Sequence, residues 1–247
     1  MNHVSSDHVE TAASPAFRRK LDRQGYQAFL GYFIALGGLR RHHSVLDVGC
    51  GHGRMTRELL AYLSPEARYE GFDVRGYIIE KLQRHYTARY PRFTFHHANI
   101  RNTSYNPDGT VAASEYVFPV EDEAMDFVFL LSVFTHLFPF EMEHYLAEIS
   151  RVLKAGRRCF ITYFLLNDES IHLIESGAIR KTFSHRGDHY RFEDEKVPER
   201  AMAVEEDYVR RMYERHGLKI VEPIHYGRWC RRRGPEMRQD IVVAVKV

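Results

Sequence analysis

The chain has 247 residues, of which 35 are Lys or Arg and 33 are Asp or Glu, so its formal net charge is +2. This length can bury the core of one large domain, and the near balance of charges differs from the clustered basic surface of duplex-binding proteins. The three cysteines, Cys50, Cys159 and Cys230, are odd in number and far apart, which argues against a disulfide framework and a cysteine-based zinc site and indicates the cytoplasm.

The N-terminal segment predicts a tail followed by a helical cap. Residues 1–15 are polar, lack the layout of a signal peptide and are expected to be disordered. Apolar side chains at roughly helical spacing follow over residues 16–40 and predict two short helices. No apolar run approaches the ~20 residues of a membrane-spanning helix. We therefore expect residues 16–247 to form one soluble domain.

The next stretch alternates apolar runs of strand length with amphipathic segments. Strands are predicted over residues 44–48, 68–73 and 93–100, and helices over residues 54–63 and 77–90. Residues 101–120 contain an Asn-Pro-Asp-Gly turn signal and little periodicity, so an extended surface loop is expected there.

The second half continues the alternation and adds a cap. Residues 167–199 are charged, rich in histidine and aromatic side chains and weakly periodic, so they are expected to form a lid. Strands are predicted over residues 126–131, 157–165, 218–224 and 240–247, and helices over residues 141–153 and 204–217. Alternating strands and helices favour a doubly wound α/β sheet, and the last two strands, with no helix between them, predict an antiparallel hairpin at its edge.

A glycine-rich turn joins the first predicted strand to the first helix. Gly49, Gly51 and Gly53 follow Asp47 at intervals of two, and ligands bind doubly wound sheets at this place. A dinucleotide fingerprint would need a third glycine where Arg54 stands, and a phosphate-binding loop would need a following Gly-Lys-Ser/Thr. The turn therefore favours neither of these two nucleotide-binding classes.

The acid-x-Gly-x-Gly-x-Gly run in VLDVGCGHGRMTREL resembles the first motif of the class I S-adenosylmethionine-dependent methyltransferases. YEGFDV, HHANI, MDFVFLLSVFTHL and EISRVLKAGRRCFIT resemble four further motifs of that family, in order. The resemblance covers residues 44–247, and the fuller sequence pattern is similar to that of a bacterial branch of the family. It implies a Rossmann-like, seven-stranded sheet in the order 3-2-1-4-5-7-6 with an antiparallel last strand, N-terminal helices and a lid insertion.

The resemblance also implies S-adenosylmethionine as cofactor. Asp73 would accept the ribose hydroxyls, Asp47 would meet the ammonium group and Arg54 the methionine carboxylate; helix capping, turn formation and simple solvation are the respective alternatives. Asn99 stands where many relatives carry Asp and would accept from the adenine amine more weakly. The implied cofactor-binding residues are Asp47, Gly49, Cys50, Gly51, Arg54, Asp73, Val74, Asn99, Ile100, Leu131 and Ser132.

The methyl acceptor is the least constrained part of the prediction. His136 lies just after the fourth strand and is the candidate general base, because imidazole exchanges protons near neutral pH. The alternative is a histidine with a structural role. No metal site is predicted, since the adjacent histidine pairs point to opposite faces. The expected acceptor pocket contains Phe134, Tyr163, His189, Tyr190, His225, Tyr226 and Trp229.

These observations predict methyl transfer to an oxygen or nitrogen of a small molecule such as a sugar or secondary metabolite. The absence of an Asn/Asp-Pro-Pro-Tyr/Phe run after the fourth strand disfavours methylation of adenine or glutamine amides. Two alternatives remain open at this point. One is a methyltransferase acting on RNA or protein, and the other is a cofactor-binding protein without catalysis. Binding to nucleic acid is disfavoured by the charge balance, and no membrane partner is expected.

Overall fold

The computed structural model describes residues 26–177, 179, 182–233 and 237–247. The predicted disordered tail over residues 1–15 lies outside this part of the chain. Of the two helices predicted over residues 16–40, the described part contains one, α1 (Tyr26–Ala35).

Eleven strands are found in the described residues. In chain order they are β1 (Val45–Val48), β2 (Tyr69–Asp73), β3 (Phe93–His97), β4 (Met125–Leu130), β5 (Leu153–Tyr163), β6 (Leu165–Leu166), β7 (His185–Gly187), β8 (Tyr190–Phe192), β9 (Met202–Glu205), β10 (Leu218–Ile220) and β11 (Asp240–Lys246). Seven of them form the main sheet in the order β3-β2-β1-β4-β5-β11-β10, which confirms the expected order 3-2-1-4-5-7-6.

The pairing directions follow from the connections. Strands β1 to β5 are mutually parallel, and β11 is antiparallel to both β5 and β10, which confirms the predicted hairpin edge. All residues of β1, β2 and β4 are buried, as expected for strands covered by helices on both faces. The carboxyl ends of β1, β2 and β4 are therefore neighbours at one edge of the sheet.

Helices cover both faces of this sheet. After α1 come α2 (Arg54–Tyr62), α3 (Gly76–Leu82), α4 (Pro139–Val152), α5 (Asp168–Glu175) and α6 (Glu206–Arg215). Helices α1, α2 and α3 pack on one face, where the Phe33 ring lies 4.6 Å from that of Phe129 and 4.9 Å from that of Phe160. Helices α4 and α6 cover the other face. These contacts between aromatic rings hold the cap helix α1 against the sheet.

A second, four-stranded sheet, which was not predicted, is formed by the segment between β5 and β10. Its order is β6-β9-β8-β7, with β6 parallel to β9 and the other pairs antiparallel. The lid expected over residues 167–199 is thus part of a sheet that also recruits residues 202–205. Helix α6 begins at Glu206 rather than 204 for this reason.

The segment after β3 is more ordered than the predicted surface loop. Ile100 pairs with Val111 in an isolated bridge, and Ala113 begins a turn of 3₁₀ helix. Phe118 is buried against Phe72, with ring centroids 4.9 Å apart. Its residues therefore cover the face of the sheet that α4 also covers.

Candidate active site

A cavity of about 390 Å³ lies at the carboxyl ends of β1, β2 and β4. This is the place where doubly wound sheets bind ligands. Ten of the eleven residues predicted to bind the cofactor line it: Asp47, Gly49, Cys50, Gly51, Arg54, Asp73, Val74, Ile100, Leu131 and Ser132.

The glycine turn forms one wall of the cavity. Gly49 has φ 75° and Gly51 has φ 53°, a left-handed backbone that side chains with a Cβ rarely adopt. A Cβ added at Gly49 would come within 2.5 Å of the Val133 Cγ2 atom. The backbone N–H groups of Gly49 and Cys50 donate to the Phe72 carbonyl, at 2.9 and 3.0 Å, and hold the turn against β2. Larger residues would therefore both strain the turn and fill the space beside it.

Asp47 is a buried acid behind the glycine turn. The Tyr69 hydroxyl donates to Asp47 Oδ2 at 2.7 Å, and Thr56 Oγ1 lies 2.9 Å from the same hydroxyl. Burial raises the pKa of Asp47 to about 8, and the nearby negative charge of Asp73 acts in the same direction, whereas the Tyr69 hydrogen bond opposes it. A cation placed next to Asp47 would favour its ionised form.

Asp73 ends β2 and holds the turn and the next helix together. Its Oδ2 accepts from the Gly51 N–H at 2.9 Å, and its Oδ1 accepts from the Arg75 N–H at 3.0 Å. The Arg75 side chain adds two further hydrogen bonds, from Nε at 2.9 Å and from Nη2 at 3.3 Å. Both the ribose-binding role and the helix-capping alternative predicted for Asp73 thus remain open at this carboxylate.

The end of β4 forms the opposite wall. Ser132 has φ 58°, an uncommon backbone for a residue other than glycine, and its N–H donates to Thr162 Oγ1 at 2.8 Å. The Ser132 hydroxyl donates to Gln239 Oε1 at 2.8 Å, beside the start of β11. These contacts fix the strand end against β5 and β11.

Three ionisable side chains line the cavity after β4. His136 Nδ1 lies 2.7 Å from the Glu199 carbonyl, which can only accept, so this nitrogen carries a proton. Glu141 Oε2 accepts from the Phe138 N–H at 2.8 Å at the start of α4, and burial raises the pKa of Glu141. Tyr145, one helical turn later, is buried, with 3% of its surface exposed, and lines the same cavity.

Asn99 does not line the cavity, contrary to the predicted contact with adenine. Its Nδ2 donates to Thr110 Oγ1 at 3.0 Å, and its Oδ1 accepts from Asn106 Nδ2 at 3.1 Å. The side chain is therefore used to fold the segment after β3. Ile100, the next residue, faces the cavity instead.

None of the seven residues of the expected acceptor pocket lines this cavity. Phe134 and Tyr163 belong to the core, with ring centroids 5.3 Å apart, and the Tyr163 hydroxyl donates to that of Tyr213. His189 lies within hydrogen-bonding distance of Glu205, and Tyr190 packs on Phe138.

The remaining three residues of that set lie around the β10–β11 connection. His225 and Tyr226 line a separate cavity of about 300 Å³ beside α1, where burial lowers the pKa of His225. Trp229 Nε1 donates to the buried Asp240 Oδ2 at 2.7 Å. The seven residues are therefore distributed over the core, the second sheet and the β10–β11 connection and do not form one pocket.

Several cavity residues were not singled out from the sequence. Glu141 could have been found, because it is the third residue of a helix that begins with Pro139, where a carboxylate can accept from the backbone at the helix start. Tyr145 lies four residues later on the same helix face. Nothing in the sequence pattern brings Phe29 of α1 or Tyr105 of the connecting segment to the glycine turn. They line the cavity because of tertiary packing.

The described residues contain no group of three or more His, Cys, Asp or Glu side chains placed to hold a metal ion. Within the same residues, no helix has the length and apolar character needed to cross a membrane.

Comparison with known proteins gives one family match and many similar folds. Residues 45–156 match a family described as a methyltransferase domain. A SAM-dependent methyltransferase from Methanosarcina mazei has 19% sequence identity and a TM-score of 0.55, with 85% of this chain and 94% of that one covered. At this identity the structural likeness establishes the fold.

Two further similar structures have described ligands. The 1,6-didemethyltoxoflavin-N1-methyltransferase of Burkholderia thailandensis, bound to 1,6-didemethyltoxoflavin and S-adenosylhomocysteine, has 18% identity and a TM-score of 0.54, covering 92% of this chain and 78% of that one. The magnesium protoporphyrin IX methyltransferase of Synechocystis, bound to S-adenosylhomocysteine, has 17% identity and a TM-score of 0.56, covering 93% and 85%. Residues 45–156 thus match a methyltransferase domain, and the sheet order and the similar structures show that the chain has the fold of S-adenosylmethionine-dependent methyltransferases.

Proposed function

We propose that the chain methylates an oxygen or nitrogen of a small molecule, such as a sugar or secondary metabolite. The observation that carries this proposal is that His136 and Glu141 lie in the same cavity as the glycine turn. Groups that can accept a proton there suit an O–H or N–H acceptor. The near-neutral charge of the chain and a cavity of about 390 Å³ are in keeping with a small acceptor.

The residues of the cavity fit the cofactor chemically. The turn at Gly49 and Gly51 provides a surface that a Cβ would obstruct, and Asp73 provides carboxylate oxygens beside it. We assign the ammonium group to Asp47, the ribose to Asp73 and the methionine carboxylate to Arg54. When bound, the cofactor supplies a methyl group activated by its sulfonium.

The chain's own residues then orient the acceptor and take its proton. His136 donates its Nδ1 proton to the Glu199 carbonyl, so Nε2 is the nitrogen that can accept one. Glu141 is held by the Phe138 N–H and has a raised pKa, which makes it a stronger base than an exposed carboxylate. We propose His136 as the base and Glu141 as a second proton acceptor on the same wall.

Labelled S-adenosylmethionine offered with three separate pools tests the acceptor class. The pools are metabolites below about 1 kDa, total RNA and total protein. We expect label in the metabolite pool, in a product whose new methyl group is on oxygen or nitrogen. Label in RNA or protein alone would contradict the proposal, as would a methyl group on carbon or sulfur.

Substitution of the proposed base tests its role once an acceptor is found. His136→Gln should lower kcat by roughly 10²-fold or more, the contribution typical of a general base, and leave the Kd for S-adenosylhomocysteine within about twofold. His225→Gln is the matched control, because His225 lines the other cavity. Equal kcat values for both variants would refute the role of His136.

The cysteines bear on the cellular location. All three are free thiols and buried. We propose the cytoplasm, because reduced cysteines are kept there.

A further inference from the structure

The hydrogen-bonding capacity of Asp73 is fully used. An ionised carboxylate offers about four lone-pair positions, two on each oxygen. Oδ1 accepts from the backbone N–H and from Nε of Arg75, and Oδ2 accepts from the Gly51 N–H and from Nη2 of Arg75. No position is therefore left for the hydroxyl groups of a ribose.

The four donors differ in their freedom to move. Two are main-chain N–H groups, one in the glycine turn and one before α3, and moving them would disturb the ends of both elements. The other two belong to the Arg75 guanidinium, whose side chain is 22% exposed at the cavity. This guanidinium is the donor that a ligand can replace without rebuilding the backbone.

We propose that Arg75 competes with the cofactor ribose for Asp73, and that the ribose hydroxyls displace its guanidinium when the cofactor binds. Arg75 is thus a residue that sets cofactor affinity by occupying the ribose site. This inference depends on the proposed ribose-binding role of Asp73.

Tyr105 provides a contact that the displaced side chain can keep. The Arg75 guanidinium carbon lies 5.5 Å from the centre of the Tyr105 ring, within the range of a cation–π contact. The ring also lies 5.4 Å from that of His136, and both line the cavity. The guanidinium can therefore leave Asp73 and keep a favourable contact over Tyr105.

Binding of S-adenosylhomocysteine to two matched variants tests the proposal by calorimetry. Arg75→Met keeps an unbranched apolar stem over Tyr105 but removes the side-chain donors to Asp73. We expect it to bind about fivefold more tightly than the wild type, a factor in keeping with the loss of one partly exposed ion pair. Arg101→Met is the control, since Arg101 lines the same cavity and the change in charge is equal. It should change the Kd by less than about twofold.

The outcomes separate this inference from the proposed function. An unchanged or weaker affinity of Arg75→Met would overturn the competition, and so would equal tightening by Arg101→Met, which would indicate a general charge effect. Failure of the wild type to bind S-adenosylhomocysteine would instead overturn the cofactor site itself. As a second readout, the Arg75 Nε–H signal in ¹⁵N NMR, identified by its absence in Arg75→Met, should shift on saturation with S-adenosylhomocysteine. A signal that does not move would contradict displacement.

Discussion

Asp47 combines deep burial with a position beside the proposed ammonium site. Its pKa of about 8 means that at pH 7 roughly nine-tenths of the free protein carries a proton on this carboxyl. A neighbouring ammonium group favours the ionised form, so binding of the cofactor should release that proton. Because the pKa is raised, affinity should increase as the pH rises from 6 towards 8 and then level off.

Calorimetry in two buffers of different ionisation enthalpy measures this release. At pH 7 we expect close to one proton per molecule of S-adenosylhomocysteine bound to the wild type. Asp47→Asn should release about one proton fewer per molecule bound, because it lacks the carboxyl group that loses a proton. Any protons released by the ligand itself are the same for both proteins and cancel in the comparison. Identical proton counts for the two proteins would refute the proposed role of Asp47.

The predicted cofactor-binding residues that line the cavity share a local signal. Gly49, Gly51 and Asp73 lie at strand ends whose positions follow from short apolar runs, and parallel strands bring those ends together. Asn99 obeyed the same pattern, yet its side chain hydrogen-bonds to residues 7 and 11 positions later. Loop geometry determines which nearby polar group a side chain hydrogen-bonds to, and hydrophobic periodicity does not predict loop geometry.

At the scale of elements, Asp240 fastens the second sheet to the main one. It is fully buried at the start of β11 and accepts from the N–H groups of Leu165 and Gly227, both at 2.7 Å. Trp229 Nε1 and Arg232 Nη1 donate to it as well, at 2.7 and 3.2 Å. Burial raises the pKa of Asp240 to about 6, so at pH 8 it is an ionised acceptor of four donors.

Removing one of these donors should weaken the attachment measurably. Trp229→Phe keeps a ring against Phe164 and Phe183 but loses the hydrogen bond to a charged group, so we expect the free energy of unfolding to fall by about 2 kcal/mol at pH 8. Tyr62→Phe, which loses one neutral hydrogen bond to the Leu39 carbonyl, is the control and should cost about 0.5 kcal/mol. Urea unfolding followed by circular dichroism measures both. Equal losses would contradict a special role for Asp240.

The main sheet could be predicted from sequence, but the second sheet could not. Strand β4 is a run of six buried residues, long enough to be recognised without its neighbours. In contrast, β6 has two residues and pairs with β9, which lies 37 positions later, and β7 and β8 have three residues each. Such short strands carry no periodicity of their own and exist because of non-local pairing.

At the scale of the whole molecule, the two faces of the main sheet contribute different parts of the cavity. Helices α1 to α3 and their aromatic core hold the glycine turn from one side, and α4 with the turn before it provides the proposed proton acceptors from the other. The cavity lies at the edge where both layers and the ends of β1, β2 and β4 meet. The proposed placement of the cofactor on the turn and of the methyl acceptor beside α4 rests on this arrangement.

Calorimetric titration of S-adenosylhomocysteine into the wild type and Asp73→Ala tests this account most directly. We expect binding of one molecule per chain to the wild type and a loss of about 10-fold or more in affinity for Asp73→Ala, because charge-assisted hydrogen bonds to the ribose are removed. No binding to the wild type would contradict the assignment of the cavity to the cofactor, and equal affinity of the two proteins would contradict the role of Asp73.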